Sequence, residues 1–262
     1  MAFPSVKLTT LASLAHRLPA ACWLAQRLEQ APERWVTLPV WWVEGDLDMV
    51  ALDLVTTLSS DGQWLPPLPS TALDGRAPHP DGALLWVDGH LRLQGALTGG
   101  WHTPASAAEP SSPAVHALVM GDVQVHCALL RQGQLHVQGN LSVHTLLWGD
   151  GAPGGLTVLG QSTAQVGLFT RGYAPQWNQP PSFDFTLQDA DPAGDSALWQ
   201  LADHETLGLV IPPQYLDADN AGKGSLAEML NAPALVEAAA FQDGIVIAQV
   251  NELVDDECDL PR

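Results

Sequence analysis

The sequence predicts a mainly β protein: a short parallel β-helix, a triangular solenoid of about eighteen residues per turn, with mixed α/β N- and C-terminal flanks acting as caps. Three observations carry this. Ala117, Val123, Leu129, Leu135, Leu141 and Leu147 recur every six residues, where a helix needs steps of three and four and a lone strand steps of two. A nine-residue pattern surrounds that ladder and surfaces five times. Glycines at fixed places in the pattern mark the corners.

The pattern reads apolar-x-apolar-x-Gly-polar-apolar-x-apolar. Leu135 to Val143 is the clearest copy, followed by Ala117 to Val125, Leu85 to Leu93 and Trp41 to Met49, with a degenerate copy opening at Leu156. Alternation on either side of the glycine predicts two short strands whose alternate side chains enter one core. Gly45, Gly89, Gly121, Gly139 and Gly160 are the expected structural turns, placed where a β-carbon is crowded or φ turns positive. A leucine usually follows four residues beyond each copy: Leu97, Leu129, Leu147 and Leu168. Copies of this kind bury their apolar faces only by stacking.

Glycine spacing divides the chain. Gly121 to Gly139 is eighteen residues and Gly139 to Gly160 is twenty-one, the surplus falling in the loop from Gly149 to Gly155. Gly89 to Gly121 is thirty-two and Gly45 to Gly89 is forty-four, so larger loops leave the coil at about 99–113 and 50–82. Residues 41–170 form the solenoid, 1–40 an N-terminal helical flank and 171–262 an acidic α/β cap. Within the cap, 171–197 reads as a Pro/Asp-rich connection and Leu207–Ile211 as a strand. Ser225 and Glu228 form a capping box for a helix from Leu226, which Pro233 divides from Ala234–Phe241. Ile245–Val250 reads as a final strand.

Hydrophobic residues make up 46% of the 262, enough for a substantial core. No apolar run approaches eighteen residues, so no membrane span is expected. Leu8 to Leu24 is interrupted by His16, Arg17 and Pro19 and reads as a short helix rather than a secretory signal. Cys22, Cys127 and Cys258 are far apart and odd in number, which suggests reduced thiols and a cytoplasmic location.

Charge is concentrated. Ten basic residues face twenty-nine acidic ones for a net −19, and from Phe183 to Arg262 sixteen Asp/Glu stand against Lys223 and Arg262. Residues 115 to 170 hold only Asp122, Arg131 and Asp150. Such a field repels nucleic acid and anionic membrane and attracts basic proteins.

His126 and His144 each lie five residues after a repeat glycine. They should stack on one outer face at about 4.8 Å, the strand spacing, with Gln94 and Gln165 at the matching positions on either side and His136 on a different side. They are the only candidate metal ligands, but no C-x-x-C or H-x-x-x-H spacing supports them, and neither metal nor cofactor is expected. The coil is similar in one respect to hexapeptide-repeat acyltransferases: a small residue follows each ladder residue by four places (Cys127, Gly133, Gly139, Thr145, Gly151). Where that family has Gly or Ala directly after the ladder residue, this chain has Gln124, Leu130, His136, Ser142 and Trp148.

At Val43-Glu44-Gly45-Asp46-Leu47, Val119-Met120-Gly121-Asp122-Val123 and Val137-Gln138-Gly139-Asn140-Leu141 the chain resembles the bactofilin-like, polymer-forming cytoskeletal proteins of bacteria, over about residues 83–170 with a weaker outpost at 41–49. That resemblance implies a compact β-helix and self-assembly. The long flanks and inserted loops favour instead a non-catalytic protein-binding solenoid, in concrete form an inhibitor or immunity-type protein neutralising a basic protein partner. Trp64, Trp101, Trp148 and Trp177, with Asp255, Asp256 and Glu257, are the expected partner contacts, since tryptophans anchor interfaces. A self-assembling scaffold and an acyltransferase or metal enzyme are the alternatives, and no catalytic residue is expected.

Overall fold

The computed structural model describes residues 5–54, 79, 81–99, 101, 115–131, 133–151, 155–188, 204–217 and 226–241. It is mainly β, a solenoid-like stack of parallel strands in three columns. Column 1 holds β2 (Pro39–Val43), β5 (Ala83–Val87), β8 (Val115–Val119), β11 (Gln134–Val137), β14 (Gly155–Val158) and β16 (Gln176–Trp177). Column 2 begins with β3 (Leu47–Met49), β6 (Leu91–Leu93), β9 (Val123–Val125) and β12 (Leu141–Val143). Column 3 begins with β4 (Leu52–Asp53), β7 (Ala96–Gly99), β10 (Cys127–Leu130) and β13 (Leu146–Asp150). The longer β15 (Ser162–Thr170) and β17 (Ser182–Gln188) run through columns 2 and 3 without a break.

Register follows the sequence pattern. Trp41, Leu85, Ala117, Leu135 and Leu156 align in column 1, so the copy at Trp41 is a full member of the stack. Leu47, Leu91, Val123, Leu141 and Ser162 align in column 2. These inward residues form one buried core, and the partner strands are far apart in sequence because loops leave the stack between turns.

Leu129 departs from the expected ladder. Ala128, not Leu129, aligns with Leu97 and Leu147 and enters the core. Leu129 points outward beside Trp148 and Leu168. The corner after β9 is one residue shorter than the corner after β12, so the six-residue step fails there. Alternation does not reveal the slip, because β10 is apolar on both faces and buried on both.

Both faces of column 3 are buried because the C-terminal helices lie against its outside. Leu207, Val210 and Ile211 of α4 (His204–Val210) and its exit, with Leu235, Val236 and Ala239 of α5 (Ala232–Phe241), pack on Cys127, Leu129, Trp148 and Leu168. Leu207–Ile211 is therefore helical rather than a strand; its three-and-four spacing gives the helix one face to bury. α5 begins at Ala232, not at Leu226. The Asn231 side chain accepts the Ala234 N–H at 3.3 Å, and Pro233 sits in the first turn, where its missing N–H costs nothing. Leu226 to Leu230 is a turn whose end bridges Leu216. Ser225 and Ile245–Val250 lie outside the described residues.

The N-terminal flank covers column 1 in the same way. α1 (Leu11–Leu14), α2 (Trp23–Gln30) and α3 (Pro32–Trp35) pack Leu11, Leu14, Leu24 and Trp35 on Val40, Leu84, Trp86 and Leu118. The flanks thus lie along the sides of the stack, whereas caps on its ends were expected. One piece does act as an end cap: β1 (Val6–Thr10) pairs antiparallel with β2 and occupies its free edge. Strand pairing also continues past residue 170, since β16 and β17 add a further turn where a connection was expected. Among the described residues no helix is long and apolar enough to cross a membrane.

The repeat glycines stack directly. Gly89 N–H donates to Gly45 O, Gly121 to Gly89, Gly139 to Gly121 and Gly160 to Gly139, all at 2.8–3.0 Å. Only Gly45 has positive φ, 99°. The others are glycine because of crowding: a β-carbon on Gly139 would stand 2.7 Å from the Gly121 backbone and 2.4 Å from Asp122 Oδ1. The polar residue after each glycine explains the second contact. The side chains of Asp46, His90, Asp122 and Asn140 each accept the backbone N–H of the matching residue one turn on, at 2.8–2.9 Å.

Candidate functional site

With column 3 and the first three strands of column 1 covered by helices, column 2 is the face that the described residues leave bare along its length. Its strands read buried-exposed-buried, the mark of a sheet with one wet side. Asp48, Arg92, Gln124, Ser142, Thr163 and Ser182 align as one outward ladder. A second row, Gln94, His126, His144, Gln165 and Asp184, runs beside it at the edge toward column 3, and the two rows line one broad groove. Parallel strands with no insertion inside the strands themselves keep these rows straight, whatever loops leave the stack elsewhere.

Acid on this face sits at its ends: Glu44, Asp46 and Asp48 lie at the N-terminal end and Asp184 at the other, with Arg92, the two histidines and uncharged amides and hydroxyls between. Arg92 crosses one rung to Asp46 at 2.8 Å and reaches Asp48 at 3.4 Å. The His90 N–H bond, then Arg92, holds the Asp46 carboxyl below its usual range. Lys7 meets Glu44 at 2.7 Å, with both side chains substantially exposed, a pairing of small energetic weight.

His126 and His144 are adjacent, as their spacing predicts, with ring centroids 5.3 Å apart and planes at 39°. His126 is half-buried and His144 exposed. Burial, then the neighbouring His144, holds the His126 pKa below the ordinary 6.5. The other histidines of the stack are committed to structure. Nδ1 of His90 accepts the Asp122 N–H at 2.9 Å, and the Asp122 carboxylate lies 3.3 Å from the same nitrogen. His116 accepts from Gln134 N–H and meets Asp81 O. His136 lies on column 1, fully buried, with Nε2 3.4 Å from Gln138 Oε1.

Of the tryptophans expected at a partner surface, Trp101 and Trp148 are buried within the chain. Trp148 is fully buried, its ring 4.2 Å from that of Trp101 and tilted 45° to it, and donates its indole N–H to Thr170 Oγ1 at 3.0 Å. Thr170 donates to Asp150 at 2.7 Å, and the fully buried Asp150 carboxylate also receives Arg171 and lies 3.6 Å from Arg131. Arg131 covers the Trp101 ring at 5.6 Å. Trp101 is only 9% exposed, so this constellation is a packed core of column 3. Trp86 is buried as well and shares Asp88 with Trp42. Trp177 is half-buried in an aromatic cluster with Phe169 and Phe183 at the last turn. Trp64, Asp255, Asp256 and Glu257 lie outside the described residues.

The residues that the sequence reading passed over are the middle positions of column 2. Each is the x of the apolar-x-apolar triplet after a repeat glycine, so the pattern places it outside, but nothing in the pattern says which outside face is left open. The two described cysteines, Cys22 and Cys127, are free and buried; burial pushes the Cys22 thiol up to about 11 and the Cys127 thiol further. Neither offers a thiolate nucleophile.

One family model, described as malonate decarboxylase, alpha subunit, transporter, matches residues 215–262. That segment begins after α4 and includes none of the strands of the three columns. No curated protein matches the chain, and no solved structure does.

Proposed function

We propose that the chain is a three-sided parallel β-helix that serves as a non-catalytic protein-binding scaffold, with column 2 as its binding face and a basic protein as its partner. The observation that carries this is the distribution of cover. Helices of the chain bury the outer face of column 3 and of the first three strands of column 1, while column 2 keeps two straight polar rows with acid at both ends. An inhibitor or immunity-type protein is the concrete form. The net −19 of the chain steers a cationic partner to it.

Affinity purification from the native host with mass spectrometry tests this. A stoichiometric basic partner is expected, and its capture should fall with rising salt. Capture should be lost in Asp48→Lys/Asp184→Lys and kept in Glu237→Lys, which alters an exposed residue of α5. Equal capture by all three proteins would refute column 2 as the face.

A second reading has one observation in its favour. Among the described residues β17 pairs only with β15, and Trp177 and Phe183 are half-buried at that end, an arrangement suited to end-on assembly of a bactofilin-like scaffold. Growth of hydrodynamic size with concentration would favour it over the inhibitor reading. At the opposite end β1 already occupies the edge of β2, which weighs against head-to-tail stacking.

A further inference from the structure

We propose that His126 and His144 form a two-imidazole site for a tetrahedral divalent cation of the zinc type. Neither ring is hydrogen-bonded to a described residue, in contrast to His79, His90, His116 and His136, each of which has a nitrogen engaged. The pair is held in contact by the stack itself, one imidazole per turn at the corner directly after β9 and after β12. No folding of a loop is needed to bring the two together.

The separation decides between geometries. With zinc–nitrogen bonds of about 2.0–2.1 Å, a metal stands about 3.2 Å from each ring centroid, so a tetrahedral angle puts the centroids about 5.2 Å apart and a right angle about 4.5 Å. The observed separation is 5.3 Å. Turning a ring about its Cβ–Cγ bond re-aims its nitrogens and leaves the centroid almost where it is, so the tetrahedral arrangement is reached by rotation alone. Among the described residues no third His, Cys, Asp or Glu completes the set. Two coordination positions are therefore left to water or to an outside ligand. The adjacent rungs contribute only Gln94 and Gln165, and the carboxylate of the row, Asp184, lies two rungs beyond His144.

The test is titration of the full chain with Zn2+ alone, followed by calorimetry, on the wild type, His126→Gln, His144→Gln and His16→Gln. Glutamine already stands in the adjacent rungs, so these substitutions suit the ladder, and unchanged melting in chelator confirms folding. One tight equivalent is expected in the wild type, weakened roughly tenfold or more by either ladder substitution and untouched by His16→Gln. Co2+ in place of Zn2+ should show the intense visible bands of a tetrahedral site, and only with both histidines present. Wild-type binding that persists in both ladder variants would place the metal elsewhere and overturn the proposal, as would no binding at all. If His126→Gln fails to fold, His144→Gln decides alone.

Discussion

Replacing Gly139 by alanine is the sharpest probe of the stack. The new β-carbon would meet Asp122 Oδ1 at 2.4 Å and the Gly121 carbonyl carbon and oxygen at 2.7 Å. The carboxylate can swing away. The Gly121 backbone cannot, because it is hydrogen-bonded to Gly139 N at 3.0 Å and itself donates to Gly89 O at 2.8 Å. Relief therefore requires two turns to part locally, which places the cost in the upper part of the overpacking range, about 2–3 kcal/mol. For a domain of this size that lowers Tm by roughly 4–12 °C. Thermal melting followed by circular dichroism measures it. Asp122→Ala supplies the cross-check: it removes the side-chain clash but costs the acceptor of the Asn140 N–H, about 1 kcal/mol. In that background Gly139→Ala should retain most of its cost. A Tm for Gly139→Ala within about 1 °C of wild type would refute direct contact between the glycine corners, and with it the close stacking of the turns.

Asp150→Ala should destabilise by about 2–4 kcal/mol, less than the full figure for breaking a buried pair because Arg171 is half in solvent; urea unfolding checks this, and no change would mean the carboxylate is dispensable. Trp148→Ala should cost about 3–5 kcal/mol by opening a cavity beside Trp101 under the C-terminal helices, read as a lower urea midpoint. Stability should fall in mild acid. Burial holds His116, His126 and His136 below the ordinary 6.5, so the unfolded chain takes up these protons first. The contribution is complete above about pH 6.5 and is lost as pH falls below it through the lowered folded values; a midpoint that rises toward pH 5 would contradict the assignment.

How much was legible follows from which contacts are local. The apolar-x-apolar triplets and the glycine column repeat because each turn meets the same surroundings, so Trp41, Leu85, Ala117, Leu135 and Leu156 line up from spacing alone. The pairing of His126 with His144 follows from the same repeat. Leu129 was misplaced because column 3 is apolar inside and out, and a one-residue change of corner length leaves no trace in such a run. Leu207 to Ile211 looked like a strand for its composition, while its burial at 207, 210 and 211 belongs to a helix seated on another element.

The sequence by itself determined the mainly β character, the stacking repeat, the stations of the glycines and the acidity of the chain. These are set by side-chain alternation, by steric crowding at a corner and by composition, all of which act within a turn or between identical neighbours. Only the tertiary structure decided that the described flanks lie along columns 1 and 3 and not on column 2, that Trp101 and Trp148 face each other instead of solvent, and that Asp150 gathers Thr170 and Arg171. Those contacts join residues that no repeat relates, and an apolar outer face reads the same in sequence whether a helix of the same chain or a partner covers it.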